Sequence, residues 1–156
     1  MEKILISACL LGEPVRYNGS ALPFESRILK QWEKDGRIVP ICPEVDSGMG
    51  IPRAAAEIVG GNGIDVINGN ARVIDENGIN VTPHFLNGAD LALRKCKEHN
   101  IGIALLNESS PSCGSQTIYD GRFSGSKISG VGVTTALLQK NGVLVFNQFN
   151  VSAAKV

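Results

Sequence analysis

No Cys-x-x-Cys pair occurs in this sequence, although it contains four cysteines among 156 residues. That absence removes local support for a zinc ribbon and for a thioredoxin-type dithiol. No apolar stretch is long enough to span a bilayer. The opening Met-Glu-Lys-Ile-Leu-Ile-Ser lacks a basic leader, which predicts no signal peptide and a cytoplasmic setting. Thiols stay reduced there, so the cysteines point to metal, catalysis or burial before disulfides. Net charge is also missing, with 15 Lys and Arg against 15 Asp and Glu, so no overall field favours nucleic acid or an acidic partner. The two histidines, His84 and His99, are unpaired in sequence, and His99 near a helix end suits a charge–dipole contact better than ligation. No internal repeat or domain boundary is visible. Residues 1–156 read as a single domain, long enough to bury a core without disulfide staples.

What remains is an ordinary globular composition, 43% apolar and 19% charged, with 18 glycines spread along the chain rather than gathered in a repeat. Lys3 to Ser7 is a short apolar run passing into a turn at Gly12. Leu22 to Lys34 has helical spacing (Leu22, Ile28, Leu29, Trp32) and stops at Asp35-Gly36. Arg37 to Ile41 is a second β-rich run that Cys42-Pro43 cuts off. Ser47 to Gly63 is glycine-rich, and its Ile-Pro-Arg-Ala-Ala-Ala-Glu-Ile reads as a loop or a short strand. Val66 to Ile74 predicts a hairpin turning at Asn68-Gly69, and Asn77-Gly78 a further turn.

Thr82-Pro83 predicts a helix entry with Thr as cap. Phe85, Leu86, Ala89, Leu93 and Cys96 then share one helical face up to His99. Ile101 to Leu106 is a third apolar run, followed by a polar segment, Asn107 to Ser129, too long for a minimal connector and therefore a functional loop by expectation. Val131 to Lys140 reads as a helix closed by Asn141-Gly142, and Val143 to Phe146 as the last strand. Strands alternating with helices predict an α/β fold: a mainly parallel sheet with helices on both faces and one hairpin insertion.

Ligands of open parallel sheets bind beyond the carboxyl ends of the strands. Cys9 follows the first strand, Cys42 closes the second and Cys113 lies in the loop after the third, so the fold gathers three thiols along one edge. Cys96 instead sits on an apolar helix face, where a small buried hydrophobe belongs. Three thiolates suit an iron–sulfur cluster with one iron left open, or a catalytic zinc with an open position, and spacing alone does not separate the two. Glu44, two residues after Cys42, reads either as a catalytic acid or base or as a surface residue on a turn. Arg53 reads either as a contact to a carbonyl or anion or as a side chain lying over the surface. Ser109, Ser110 and Ser112 crowd around Cys113, where turns alone could account for them.

Taken in order, Ser7-Ala8-Cys9-Leu10-Leu11-Gly12, Arg16-Tyr17-Asn18-Gly19, Cys42-Pro43-Glu44-Val45, Pro52-Arg53 with Ala56-Glu57-Ile58, Ser110-Pro111-Ser112-Cys113-Gly114, and Tyr119-Asp120-Gly121-Arg122-Phe123 with Gly130-Val131-Gly132-Val133 resemble the thiouracil desulfurase family. The resemblance covers nearly the whole chain. It implies a 4Fe-4S cluster bound by Cys9, Cys42 and Cys113 with one iron not ligated by protein. It implies Glu44 as the catalytic acidic residue, Ser110 as the catalytic serine, and hydrolytic, non-redox removal of sulfur from a thiolated pyrimidine as the activity. Two departures, Asp46-Ser47-Gly48-Met49-Gly50 in place of a Gly-Gly-Leu stretch and Ala55 in place of a proline, predict a reshaped substrate pocket. The competing readings are a non-catalytic sulfur or cluster carrier, a zinc hydrolase on the same cysteines, and a small-molecule sensor.

Overall fold

The computed structural model describes residues 2–20 and 26–153. In chain order the elements are β1 (Ile4–Ser7), α1 (Arg27–Lys34), β2 (Ile38–Ile41), α2 (Pro43–Asp46), β3 (Ala56–Val59), α3 (Gly63–Ile67), β4 (Arg72–Asp75), α4 (Thr82–His99), β5 (Ile103–Leu105), β6 (Thr117–Tyr119), β7 (Lys127–Ser129), α5 (Val133–Lys140) and β8 (Leu144–Phe146), with 3-10 turns at Ala8–Leu11 and Val151–Ala153. Four strands form one sheet in the order β2-β1-β5-β8, every neighbouring pair parallel. Both faces of β1 are covered, which is why all four of its residues are buried. Ile4 and Ile6 pack with Leu29 and Trp32 of α1 on one face, while Leu5 packs with Ala92, Leu93 and Cys96 of α4 and Leu138 of α5 on the other. Pro40 is accommodated because β2 is an edge strand and pairs only with β1. Among the described residues no helix is long and apolar enough to cross a membrane.

Beside this sheet stand two antiparallel pairs, β3 with β4 and β6 with β7. The first is welded to the helices by Ile58, Val73, Phe85 and Val133, with Ile118 of β6 in the same cluster. Here the expected hairpin over Val66 to Ile74 is corrected. Asn62 and Asp65 form a reciprocal capping box that starts α3, and Asn68-Gly69, with Gly69 at φ 82°, ends that helix instead of turning a hairpin. The partner of β4 is β3, which lies on the far side of α3 in sequence. Thr82 is likewise not the cap of α4. Val81 holds that position, and the Thr82 hydroxyl is occupied by the Val73 N–H at 2.9 Å and by Asn80. On α4 the buried stripe runs through Phe85, Ala89, Ala92, Leu93 and Cys96, and Leu86 falls outside it at 39% exposed. α1 begins at Arg27, with Ser26 as its cap; Leu22 lies outside the described residues. The long polar segment after β5 holds the β6–β7 hairpin.

Candidate active site

The carboxyl ends of β1, β2 and β5 point to one side, and each is followed by a cysteine. Cys9 sits in the 3-10 turn directly after β1, where the Gly12 N–H donates to its carbonyl at 3.2 Å. Cys42 has extended backbone at the head of α2, where Pro43 needs no N–H partner. The Cys42 N–H donates to Asp46 Oδ2 at 3.2 Å, and its Sγ lies 3.9 Å from the Val15 carbonyl.

Cys113 occupies a turn that is gripped from α5. A helix start leaves its first N–H groups without intrahelical partners. Here the Val133 and Thr134 N–H groups donate to the carbonyls of Pro111 and Ser112, at 2.9 and 2.8 Å, and the Thr135 hydroxyl donates to the Cys113 carbonyl at 2.8 Å. The approach is so close that a Cβ on Gly132 would run into the Ser112 carbonyl, so glycine is required there by packing.

Cys9, Cys42 and Cys113 all line one cleft of about 410 Å³. Glu44 and Ser110 line it too, whereas Cys96, His84 and His99 do not. Of the serines around Cys113, Ser112 is fully buried and bonded to Thr134 at 2.9 Å, away from the cleft. Ser109 lines the cleft but its hydroxyl is paired with Thr117 at 2.9 Å. Ser110 accepts the Cys113 N–H at 2.8 Å, and since a hydroxyl both accepts and donates, its own proton remains for another partner.

Burial dominates the electrostatics. It pushes the Cys9 thiol up to about 11 and Cys113 up to about 12, and it raises Cys42 as well. The neighbours separate these thiols from the fourth. Cys96 is pushed up to about 11 by burial alone, while Cys9 is also raised by Cys42, and Cys113 by Glu44, Cys42 and Cys9. Cys9 and Cys113 therefore sense other thiols of the cleft, and Cys96 senses none of them. All four are free thiols.

Glu44 is raised first by burial, and Arg53 opposes that shift with a guanidinium whose Nε stands 3.4 Å from Glu44 Oε1. Arg53 does not lie over the surface: its side chain is only 7% exposed, against 18% for Glu44.

This donor set suits a thiophilic, electron-poor group, since buried neutral thiols become stable thiolates when cations replace their protons. Three thiols lining one cleft suit a polynuclear iron–sulfur group, in which each thiolate meets a different metal atom.

Sequence reasoning missed part of the lining. Glu57 accepts the N–H groups of Gly121 and Phe123 at 2.9 and 3.2 Å, tying β3 to the β6–β7 turn. A lone carboxylate in the apolar Ala56–Val59 run was the available signal. Glu108 collects the N–H groups of Ser109 and Ser115 at 3.0 and 2.6 Å and the Asn147 amide at 3.0 Å, which stiffens the loop carrying Ser110 and Cys113. Tyr119 and Lys127 also line the cleft, with the ammonium 5.5 Å from the ring centroid. Phe149 reaches it from beyond β8, and nothing near it in sequence marks it.

Fold and site together define a thiol-rich α/β protein of the 2-thiouracil desulfurase family, to which the chain belongs: the model of that family matches residues 4–150. Among known proteins it is 44% identical over 145 residues to the uncharacterized protein YbbK of Bacillus subtilis (strain 168), covering 93% of this chain and 95% of the relative. Among solved structures it is similar to the 4Fe-4S-dependent thiouracil desulfidase TudS, with a TM-score of 0.89 and 44% identity over 98% of this chain and 95% of that one.

Proposed function

We propose that this chain is a thiouracil desulfidase whose 4Fe-4S cluster is held by Cys9, Cys42 and Cys113, with one iron not ligated by protein. The observation that carries the reading is the gathering of three distant thiols, one half-buried carboxylate and one serine hydroxyl with a proton to give on a single cleft. Its volume of about 410 Å³ lies in the range usual for small-molecule sites, about 300–1,000 Å³. The cluster, when bound, supplies a Lewis-acidic iron suited to the soft sulfur of a thiocarbonyl.

The chain's own residues do the rest. Glu44 takes a proton from water as the water oxygen adds to the thiocarbonyl carbon. Ser110 donates its hydroxyl proton in a hydrogen bond toward the reacting heteroatom. When the C–S bond breaks, Glu44 gives the proton it took to the departing sulfur, the hydroxyl proton of the adduct passes to solvent, and the products are the oxygenated pyrimidine, hydrosulfide and one proton. One water is consumed and no electrons are exchanged. We place the protein in the cytoplasm, acting as one domain on a small thiolated pyrimidine, in keeping with four unpaired thiols.

The test is anaerobic preparation, assay of iron and acid-labile sulfide, and measurement of hydrosulfide and oxygenated product from 2- and 4-thiouracil. Glu44→Gln should keep the cluster and lose about 10²–10⁴-fold in turnover. Full turnover after the iron is stripped by chelator, or equal turnover in the variant, would contradict the reading.

A further inference from the structure

We infer that Arg53 is a positioning residue for the reaction, aiming the Glu44 carboxylate at the attacking water; this rests on the reading of Glu44 as the catalytic base. The guanidinium is a rigid planar fork, and here its three nitrogens are bonded to three separate segments. Nε reaches Glu44 Oε1 at 3.4 Å, Nη1 donates to the Gly50 carbonyl at 3.2 Å, and Nη2 donates to the Val15 carbonyl at 3.0 Å. Two backbone anchors fix the plane of the fork, so its third arm points in one direction. The backbone of Arg53 is itself tied, its N–H donating to the Tyr17 carbonyl at 2.6 Å.

Glu44 has much less support of its own. Among the described residues Arg53 is the one group that donates to its carboxylate, and the contact takes only Oε1. Oε2 is left for a proton in transit. The Val15 carbonyl that anchors the fork also lies 3.9 Å from Cys42 Sγ, so the guanidinium, the carboxylate and a cleft thiol are referenced to the same point of the chain. A buried cation placed only to stitch loops together would not need its third arm on the carboxylate. Positioning of this kind acts on the chemical step more than on substrate binding.

The experiment compares cluster-loaded wild type, Arg53→Gln, Arg53→Lys, Glu44→Gln and the Arg53→Gln/Glu44→Gln double variant. The readouts are iron and sulfide content, thermal midpoint, and separate kcat and KM for 4-thiouracil. The inference expects Arg53→Gln to keep its cluster, to lose more than about tenfold in kcat and to shift KM by less than about threefold. Arg53→Lys, which keeps the charge but not the fork, should recover part of the loss. In the Glu44→Gln background the Arg53 change should cost less than about twofold further, because the two residues act as a unit. Equal losses in both backgrounds, wild-type kcat in Arg53→Gln, or loss of cluster in both Arg53 variants would overturn it. An inactive Glu44→Gln beside a fully active Arg53→Gln sinks this inference alone, whereas a fully active Glu44→Gln sinks the catalytic role of Glu44 and this inference with it.

Discussion

The cysteine-bearing part of the cleft is made of turns leaving three parallel strands, while Glu57, Tyr119 and Lys127 bring the β3–β4 and β6–β7 pairs to the same cleft. The two parts are held differently. Cys9, Cys42 and Cys113 follow strands packed from both sides, and the Cys113 turn is locked further by the N–H groups of α5. All three residues of β7 are exposed, and the turn of its hairpin is held to the body through one carboxylate, Glu57. Rigid placement of thiols is what a multi-ligand inorganic group demands, since every ligand must be in place at once. A substrate needs less, because a few contacts at the mouth decide how well it binds. The comparison therefore predicts that damage to the first part shows in cluster content and damage to the second shows in KM.

The largest effect should come from the thiols. Single replacement of Cys9, Cys42 or Cys113 by Ser is expected to abolish or cripple cluster binding, and turnover with it, measured as iron per chain after anaerobic reconstitution. Cys96→Ser is the contrasting case, because Cys96 is buried like Cys9 and Cys113 but packs with Leu5, Ala92 and Leu93 and senses no other thiol. It should keep a full cluster and lose about 1–2 kcal/mol of stability from placing a hydroxyl in an apolar site. A Cys96 variant without iron, beside three site variants with full iron, would reverse the assignment.

A smaller effect is expected on the hairpin side. Glu57→Ala removes the acceptor of two backbone N–H groups in the β6–β7 turn. The loss should be about 1–3 kcal/mol, the cost of leaving such donors unsatisfied, and KM should rise several-fold while iron per chain stays at the wild-type level. Iron loss on this substitution would show that the two parts of the cleft are not independent.

The same division governs what could be read from the amino-acid order. β1, β2 and α5 are marked by local signals: an apolar run over Lys3 to Ser7, Pro43 after Cys42, and Asn141-Gly142 after a helical stripe. Strand ends are local properties, so the amino-acid order alone suffices to gather the thiols on one edge. The segment Val66 to Ile74 misled because Asn68-Gly69 carries a positive-φ glycine that suits a hairpin turn and a helix end equally. The decision falls to the capping box at Asn62 and Asp65 and to the pairing of β4 with β3, the second of which is not a local property. The partnership of Arg53 with Glu44 was hidden for a similar reason: it depends on where the 49–53 turn folds back, and the spacing of nine residues matches no regular element. Glu108 is placed by its contact with the segment after β8, and Phe149 by the anchoring of that segment to Glu108 and Ser115, so neither left a pattern behind.

The smallest effect, and the sharpest use of the comparison, concerns Phe149. It lines the cleft and is 81% exposed, so its ring is open to a ligand there. Its backbone is not loose: the Phe149 N–H donates to Asn147 Oδ1 at 2.8 Å, and the Asn147 amide donates to Glu108 and to Ser115, both at 3.0 Å. The ring is thus presented at the mouth by a turn anchored to the loop that carries Ser110 and Cys113. Aromatic faces stack on flat heterocycles, a contact worth about 1–3 kcal/mol per nucleobase where it forms fully; at an exposed rim the lower end applies. Phe149→Ala should therefore raise KM for thiouracil about two- to tenfold and leave kcat and iron content unchanged. Its thermal midpoint should hardly move, because an exposed side chain away from the core contributes within about 0.5 kcal/mol. An unchanged KM would remove Phe149 from the substrate site, and a fall in kcat at constant KM would mean that the anchored turn reports to Ser110 instead.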